Sequence, residues 1–206
     1  MFILFYLVMV LPVIAVASAI LYLPFWLIHK KRYGKQPFIR HLAKYGFVGF
    51  LLSLIYATLL IGMDFTYDGT YHFLNLIPFV WLKDTYLMGW QRMMEQLLMN
   101  VLMLVPFGFL LPVISASMRR CWKTVLLTAG LILVIEMIQY FIGRSADIDD
   151  LIMNTTGGLI GYGIYCLCNY WFRGRKLWQK ACFGREKYYA IKNTDGTDYE
   201  RRVLLR

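Results

Sequence analysis

Five stretches of the sequence are long and apolar enough to cross a lipid bilayer. A transmembrane helix needs about 20 predominantly apolar residues, and these stretches run over residues 2–28, 45–62, 97–117, 124–142 and 151–172. Glu136 is the one charged residue within them. Hydrophobic residues make up 59% of the chain and charged residues 17%, which excludes a disordered chain, a coiled coil and an ordinary water-soluble enzyme. The sequence therefore predicts an all-α, polytopic membrane protein with about five transmembrane helices.

The connections between these stretches alternate in charge. Those after the first, third and fifth stretches are basic, with Lys30, Lys31, Arg32, Lys35, Arg40 and Lys44, then Arg119, Arg120 and Lys123, then Arg173, Arg175, Lys176 and Lys180. The other two, at residues 63–96 and 143–150, carry more acidic than basic side chains. Because basic connections stay in the cytoplasm, this alternation predicts an outer N-terminus and a cytoplasmic C-terminus. The net charge of +10 is then mainly an orientation signal, and we expect no nucleic-acid partner.

Two regions lie outside the predicted spans. We expect residues 1–175 to form one transmembrane bundle and residues 176–206 to form a short, basic cytoplasmic tail. The tail contains the turn signal Asp195-Gly196 between β-favouring runs, so a small hairpin or a membrane-surface segment is expected.

The outer connection at residues 63–96 is rich in aromatic side chains. Within it, residues 73–80 are too short to span the membrane, so they are predicted to lie in the interface or to form a re-entrant turn. Asn75 is placed to satisfy backbone groups that Pro78 leaves free.

Polar side chains from three predicted spans are expected to lie at one depth, in the outer leaflet. Asn100 lies near the outer end of the third span, and Glu136 lies about two turns from the outer end of the fourth, with Gln139 on the same helical face. The next connection and the start of the fifth span add Arg144, Asp147, Asp149, Asp150 and Asn154. Charged and amide groups inside a membrane are costly, so each needs a partner or a function.

A structural explanation exists for each of these residues. Aspartates at a helix N-terminus act as caps and interact favourably with the helix dipole, by about 0.3–1 kcal/mol each. Arg144 could be the counter-ion of Glu136, and Asn100 and Asn154 could join helices. However, the three aspartates and Glu136 carry more charge than the single Arg144 can neutralise, and protonation of Glu136 would reduce this surplus. The surplus favours a site for a cation, an amine-bearing ligand or a metal-bridged phosphate.

Three motifs lie within residues 70–165. They are Asn75-Leu-Ile-Pro-Phe79, Asn100-x5-Pro106-x-Gly108, and the longer block Glu136-x2-Gln139-x4-Arg144-x2-Asp147-x-Asp149-Asp150-x3-Asn154-x2-Gly157-Gly158-x2-Gly161. In these motifs the chain resembles the VanZ-like family of bacterial membrane proteins. The resemblance implies a multi-pass protein of the bacterial plasma membrane. The family's founding member is associated with resistance to teicoplanin, a lipid-tailed glycopeptide, but the resemblance implies no established reaction.

Three functions are consistent with these features. The leading hypothesis is a non-enzymatic or lipid-handling protein that lowers sensitivity to lipoglycopeptides and needs no cofactor. Its outer polar cluster would engage the drug, a membrane lipid headgroup or a cell-wall lipid precursor. A second hypothesis is an enzyme acting on outer-leaflet lipid phosphates, with a divalent cation held by Glu136, Asp147 and Asp150. The third is a lipid transporter or scramblase. The residues expected to bind the ligand are Asn75, Asn100, Glu136, Gln139, Arg144, Asp147, Asp149, Asp150 and Asn154.

Overall fold

The computed structural model describes residues 9–33, 36–61, 74–80 and 89–182, and these residues are mostly helical. The α-helices within these ranges are α1 (Leu11–Tyr33), α2 (Phe38–Ile55), α3 (Trp90–Ile114), α4 (Cys121–Phe141), α5 (Ile148–Phe172) and α6 (Lys176–Cys182). A π-helical turn, Tyr56–Leu60, continues α2. A short 3-10 helix, Ala116–Met118, lies between α3 and α4, and the chain also forms two short strands, β1 (Leu74–Asn75) and β2 (Ala146–Asp147).

The prediction of five spans is confirmed. Five helices in the described ranges are long and apolar enough to cross a membrane, with spans at Leu11–Ile28, Phe38–Leu60, Met93–Ile114, Cys121–Phe141 and Ile148–Phe172. The helices extend beyond the predicted apolar stretches, because charged residues at a membrane surface do not interrupt a helix. For example, α2 begins directly after Pro37, so Arg40 and Lys44 lie in its first two turns.

Helices α3 and α5 pack with their backbones in contact. A Cβ atom at Gly157 would overlap the carbonyl oxygen of Val101, and one at Gly161 would overlap that of Val105. Small residues spaced by four along a transmembrane helix allow this close approach, which favours dispersion contacts where no hydrophobic effect drives association. The glycines of α5 therefore determine how near its first turn comes to α3.

The buried apolar core lies between α2, α3 and α4. Its buried members are Leu54, Leu104, Phe107, Leu111, Ile132 and Ile135. The Phe107 ring stacks on the ring of Phe47 in α2, with centroids 5.6 Å apart. By contrast, the outer faces of the helices expose large apolar side chains such as Val13 and Phe25, as expected for surfaces that face lipid.

The short helix α6 was not predicted for the tail. Its last carbonyl, that of Cys182, accepts hydrogen bonds from the guanidinium groups of Arg40, at 3.0 Å, and Arg119, at 2.7 Å. Burial raises the pKa of the Cys182 thiol to about 11, so this side chain is neutral at physiological pH and packs against the bundle. The predicted hairpin near Asp195-Gly196 lies outside the described residues.

Basic and acidic connections meet at opposite ends of the bundle. Arg40 and Arg119 meet at Cys182, beyond the end of α5, whereas the aspartates lie where α5 begins.

At the end of the bundle where α5 begins, the structure contains one feature that the prediction of an all-α chain omits. Strands β1 and β2 form a parallel bridge, with Leu74 opposite Ala146 and Asn75 opposite Asp147. Two-residue strands are too short to show the alternation of apolar and polar residues from which strands are predicted.

The α3–α5 contact predicts different effects of one substitution at two glycines of α5. Gly161→Ala should lower the free energy of unfolding by about 1–3 kcal/mol, because the added methyl group overpacks the contact. Gly163→Ala is the control, since nothing lies within 4 Å of a Cβ at that position. Both variants gain the same helix propensity. Thermal unfolding in detergent should therefore show a lower Tm for Gly161→Ala alone, and equal Tm values would contradict the packing described here.

Candidate functional site

All nine residues singled out in the sequence lie at one end of the bundle, where α4 ends and α5 begins. We call this region the polar end. It comprises Asn75, Asn100, Glu136, Gln139, Arg144, Asp147, Asp149, Asp150 and Asn154, and hydrogen bonds link its members across four segments of the chain.

The turn between α4 and α5 is shaped by local backbone geometry. Gly143 adopts a φ of 80°, a conformation in the left-handed region that glycine adopts without steric cost. The chain then reverses, and the N–H of Arg144 donates to the carbonyl of Gln139 at 2.9 Å. Asp147 follows as the N-cap of α5, and its carboxylate accepts a hydrogen bond from the N–H of Asp149 at 2.8 Å. This cap satisfies one of the unpaired donors at the helix N-terminus.

Glu136 is buried against this cap. Its side chain is 8% exposed, and its Oε2 accepts a hydrogen bond from the backbone N–H of Asp147 at 3.1 Å. The positive end of the α5 dipole also lies here, which favours a carboxylate. A backbone donor and a helix N-terminus therefore offset part of the cost of placing Glu136 within a span.

The segment of residues 74–80 is attached to the same cap. The Asn75 amide donates to both carboxylate oxygens of Asp147, at 3.1 Å each, and its oxygen accepts from the N–H of Ile77 at 3.1 Å. Further along, the N–H of Phe79 donates to Asp149 at 2.7 Å. Phe79 has a φ of 65°, which is uncommon for a residue with a side chain, so this hydrogen bond helps to hold an unfavourable backbone conformation. Three hydrogen bonds, two from Asn75 and one from Phe79, thus fix the segment onto the start of α5.

Asn100 connects α3 to the first turn of α5. Its amide donates to the carboxylate of Asp150, and Asn154, one turn further along α5, donates to the Asp150 carbonyl at 2.8 Å. Asn154 is 3% exposed, and its Oδ1 has no hydrogen-bond partner in the described part of the chain. Buried amide oxygens are usually paired, so an unpaired one calls for an explanation.

Arg144 contacts α2 rather than Glu136. Its Nη1 donates to the carbonyl of Thr58 at 2.6 Å and to that of Ile61 at 3.2 Å, and the Gln139 amide donates to Thr58 at 2.9 Å. Carbonyls at the end of a helix lack intrahelical donors and carry the negative end of the dipole, so they attract a cation. Within the described ranges, Arg144 forms no ion pair with Glu136.

A polar cavity of about 200 Å³ lies among α2, α3, α4 and α5. Its polar lining comprises Thr58, Gln96, Asn100, Glu136, Gln139, Arg144, Asp150 and Asn154, and its apolar lining comprises Ala57, Met103, Ile132 and Ile135. Thr58 and Gln96 were not identified from the sequence, because a single hydroxyl or amide near a span end resembles ordinary helix-surface polarity.

An apolar groove of about 290 Å³ lies on the other side of α4. It is lined mainly by Leu74, Leu76, Leu133, Met137, Tyr140, Phe141, Ile148 and Leu151. At 100° per residue, Leu133 and Met137 project to one side of Glu136, whereas Ile132 and Gln139 project to the other. Glu136 therefore lines both spaces and forms their common boundary.

Three comparisons with known proteins bear on the identity of this chain. The family model described as VanZ/LLP1 matches residues 47–169, more than half of the chain. Comparisons with curated proteins and with solved structures found no significant match. The matched range includes α3, α4 and all but the last three residues of α5, and it also includes every residue of the polar end.

The attachment of β1 to β2 predicts a specific cross-link. Neighbouring strands lie about 4.7–4.9 Å apart, within the Cα separations of roughly 4.4–6.8 Å that disulfides span. Oxidation of the Leu74→Cys/Ala146→Cys double variant should therefore give an intramolecular disulfide, detected by mass spectrometry of tryptic peptides. The native cysteines lie toward the opposite end of the bundle. Ile77→Cys/Ala146→Cys is the control, and equal cross-linking of the two pairs would argue against the observed register.

Proposed function

Because the chain belongs to the VanZ-like family, we propose that it is a resistance-associated membrane protein that lowers the sensitivity of bacteria to lipoglycopeptides such as teicoplanin. It does so by engaging a lipid-tailed ligand at the polar end. The ligand is the drug itself, a lipid headgroup or a cell-wall lipid precursor. On this proposal the polar end faces the outer leaflet of the bacterial plasma membrane, with the N-terminus outside and the C-terminus in the cytoplasm.

One observation carries the proposal: the polar cavity, named here the headgroup cavity, and the apolar groove, named here the acyl groove, share Glu136 as a boundary. A polar space beside an apolar one suits a molecule with a polar head and a hydrocarbon tail. Ligand sites in proteins commonly combine apolar walls with a few placed polar groups. The outer-leaflet placement is supported by the alternating charge of the connections, since the basic ones meet at the opposite end of the bundle.

The geometry favours this function over a metal-dependent enzyme. In the described ranges, no group of three or more His, Cys, Asp or Glu side chains is arranged to hold a metal ion. Lipid transport remains compatible with an amphipathic site, but no contact at the polar end favours movement of the ligand over its binding.

The proposed function predicts a phenotype that depends on Glu136. Expression of the wild-type chain should raise the inhibitory concentration of teicoplanin in a sensitive host, and Glu136→Gln should abolish this increase, because the variant lacks the charge at the shared boundary. Dose–response growth curves measure the effect, with immunoblots of membranes to match expression.

Glu95→Gln is the matched control for this experiment. It removes an exposed carboxylate near the start of α3 that lines neither the cavity nor the groove. The control variant should protect as well as the wild type. Unchanged teicoplanin sensitivity on expression of the wild-type chain would refute the proposed function.

A further inference from the structure

We propose that the headgroup cavity binds the primary ammonium group of a membrane phospholipid, one acyl chain of which lies in the acyl groove. This inference rests on the proposed function for the existence of an amphiphile site, and it specifies the chemical class of the ligand. The lipid headgroup would be zwitterionic, with a primary amine and a phosphate.

The unpaired oxygen of Asn154 is the first observation that points to a hydrogen-bond donor. The side chain is 3% exposed and lines the cavity, and its Oδ1 lacks a partner in the described residues while its amide nitrogen is engaged by Asp150. An unsatisfied buried acceptor is destabilising unless something supplies a donor. An N–H group of a ligand in the cavity would do so once the Asn154 side chain turns its oxygen towards the cavity, because this oxygen has almost no accessible surface in the structure.

The carboxylates of Glu136 and Asp150 line the same cavity. Each already accepts one hydrogen bond from the protein, Glu136 from the Asp147 backbone and Asp150 from Asn100, but a carboxylate has about four acceptor sites. With the Asn154 oxygen, three acceptor groups therefore surround one space. A primary ammonium group carries three N–H donors and a positive charge, so it matches these acceptors in number and in charge. A quaternary ammonium group has no N–H donor to offer.

Arg144 also lines the cavity, where its guanidinium group would bind the phosphate of the lipid headgroup. Both hydrogen bonds that its side chain forms with the described residues come from Nη1. The guanidinium has five N–H donors in all, so Nε and Nη2 are left to donate to a ligand. Guanidinium groups bind phosphate in this way, and an ethanolamine headgroup carries a phosphate close to its amine.

The acyl groove indicates that the ligand comes from the bilayer. Its residues Leu74, Leu133, Met137 and Phe141 are exposed at the surface of the bundle, so a chain in the groove stays in contact with surrounding lipid. A bilayer phospholipid reaches the site by lateral diffusion, without leaving the hydrocarbon region. The cavity, at about 200 Å³, exceeds the roughly 30 Å³ share of one water molecule several times, so it has room for a headgroup.

Native mass spectrometry of the purified full-length protein in detergent tests this inference. The probes are phosphatidylethanolamine, phosphatidylcholine and phosphatidylglycerol with identical acyl chains, added one at a time. We expect the wild-type protein to bind phosphatidylethanolamine about tenfold more tightly than either other lipid, since charge-assisted hydrogen bonds have this order of strength. Equal binding of phosphatidylethanolamine and phosphatidylcholine would overturn the inference.

Two cavity variants separate ligand binding from folding. Glu136→Gln and Asn154→Leu should each lose the preference for the ethanolamine lipid, whereas Glu95→Gln should keep it. Asn154→Leu removes an unsatisfied acceptor, so its Tm in lipid-free detergent should equal or exceed that of the wild type. A lower Tm together with an unchanged lipid preference would show that Asn154 is a structural residue and would contradict the inference.

The lipid-binding experiment and the teicoplanin experiment test separate claims, and either can fail while the other succeeds. Resistance that depends on Glu136, without any lipid preference, would support the proposed function and overturn the ammonium site. A lipid preference that depends on Glu136 and Asn154, without resistance, would support the ammonium site and refute the proposed function. Displacement of the ethanolamine lipid by Mg²⁺ or Mn²⁺ at low concentration would instead identify a metal site and would also overturn this inference.

Discussion

The hydrogen bond from the backbone of Asp147 to the carboxylate of Glu136 is the interaction on which the polar end depends. It holds an acidic side chain within a transmembrane span and fixes the end of α4 to the start of α5. Asp147 simultaneously caps α5 and receives the Asn75 amide. One residue thus orients a buried carboxylate, a helix terminus and the 74–80 segment, which is why these parts of the chain meet at one place.

Close packing of α3 and α5 is the second requirement. Because Gly157 and Gly161 have no side chains at the contact, the first turn of α5 lies near enough for Asp150 to receive the Asn100 amide. A wider helix separation would move the two linings of the headgroup cavity apart. The glycines therefore act on the site without contacting any ligand.

Much of this arrangement could be predicted from the sequence. Five apolar runs, uncharged apart from Glu136, predicted the spans, and the expected depth of Asn100, Glu136 and Asp150 predicted that these residues meet. The role of Arg144 could not be predicted, because its partners are backbone carbonyls of Thr58 and Ile61, and a carbonyl has no signature in the sequence. Helix α6 was missed for a similar reason, since it is short and is stabilised by arginines distant in the chain. The ligand-binding role of the polar end is still a prediction.

The central claim is that Glu136 separates a space for a polar head from a groove for its chain. Photo-cross-linking in membranes with phosphatidylethanolamine that carries a diazirine in one acyl chain tests this claim directly. The account predicts that cross-links mapped by mass spectrometry concentrate on Leu133 and Met137 in the acyl groove. Cross-links of equal yield on other exposed apolar residues, such as Val13 and Phe25 of α1, would contradict it.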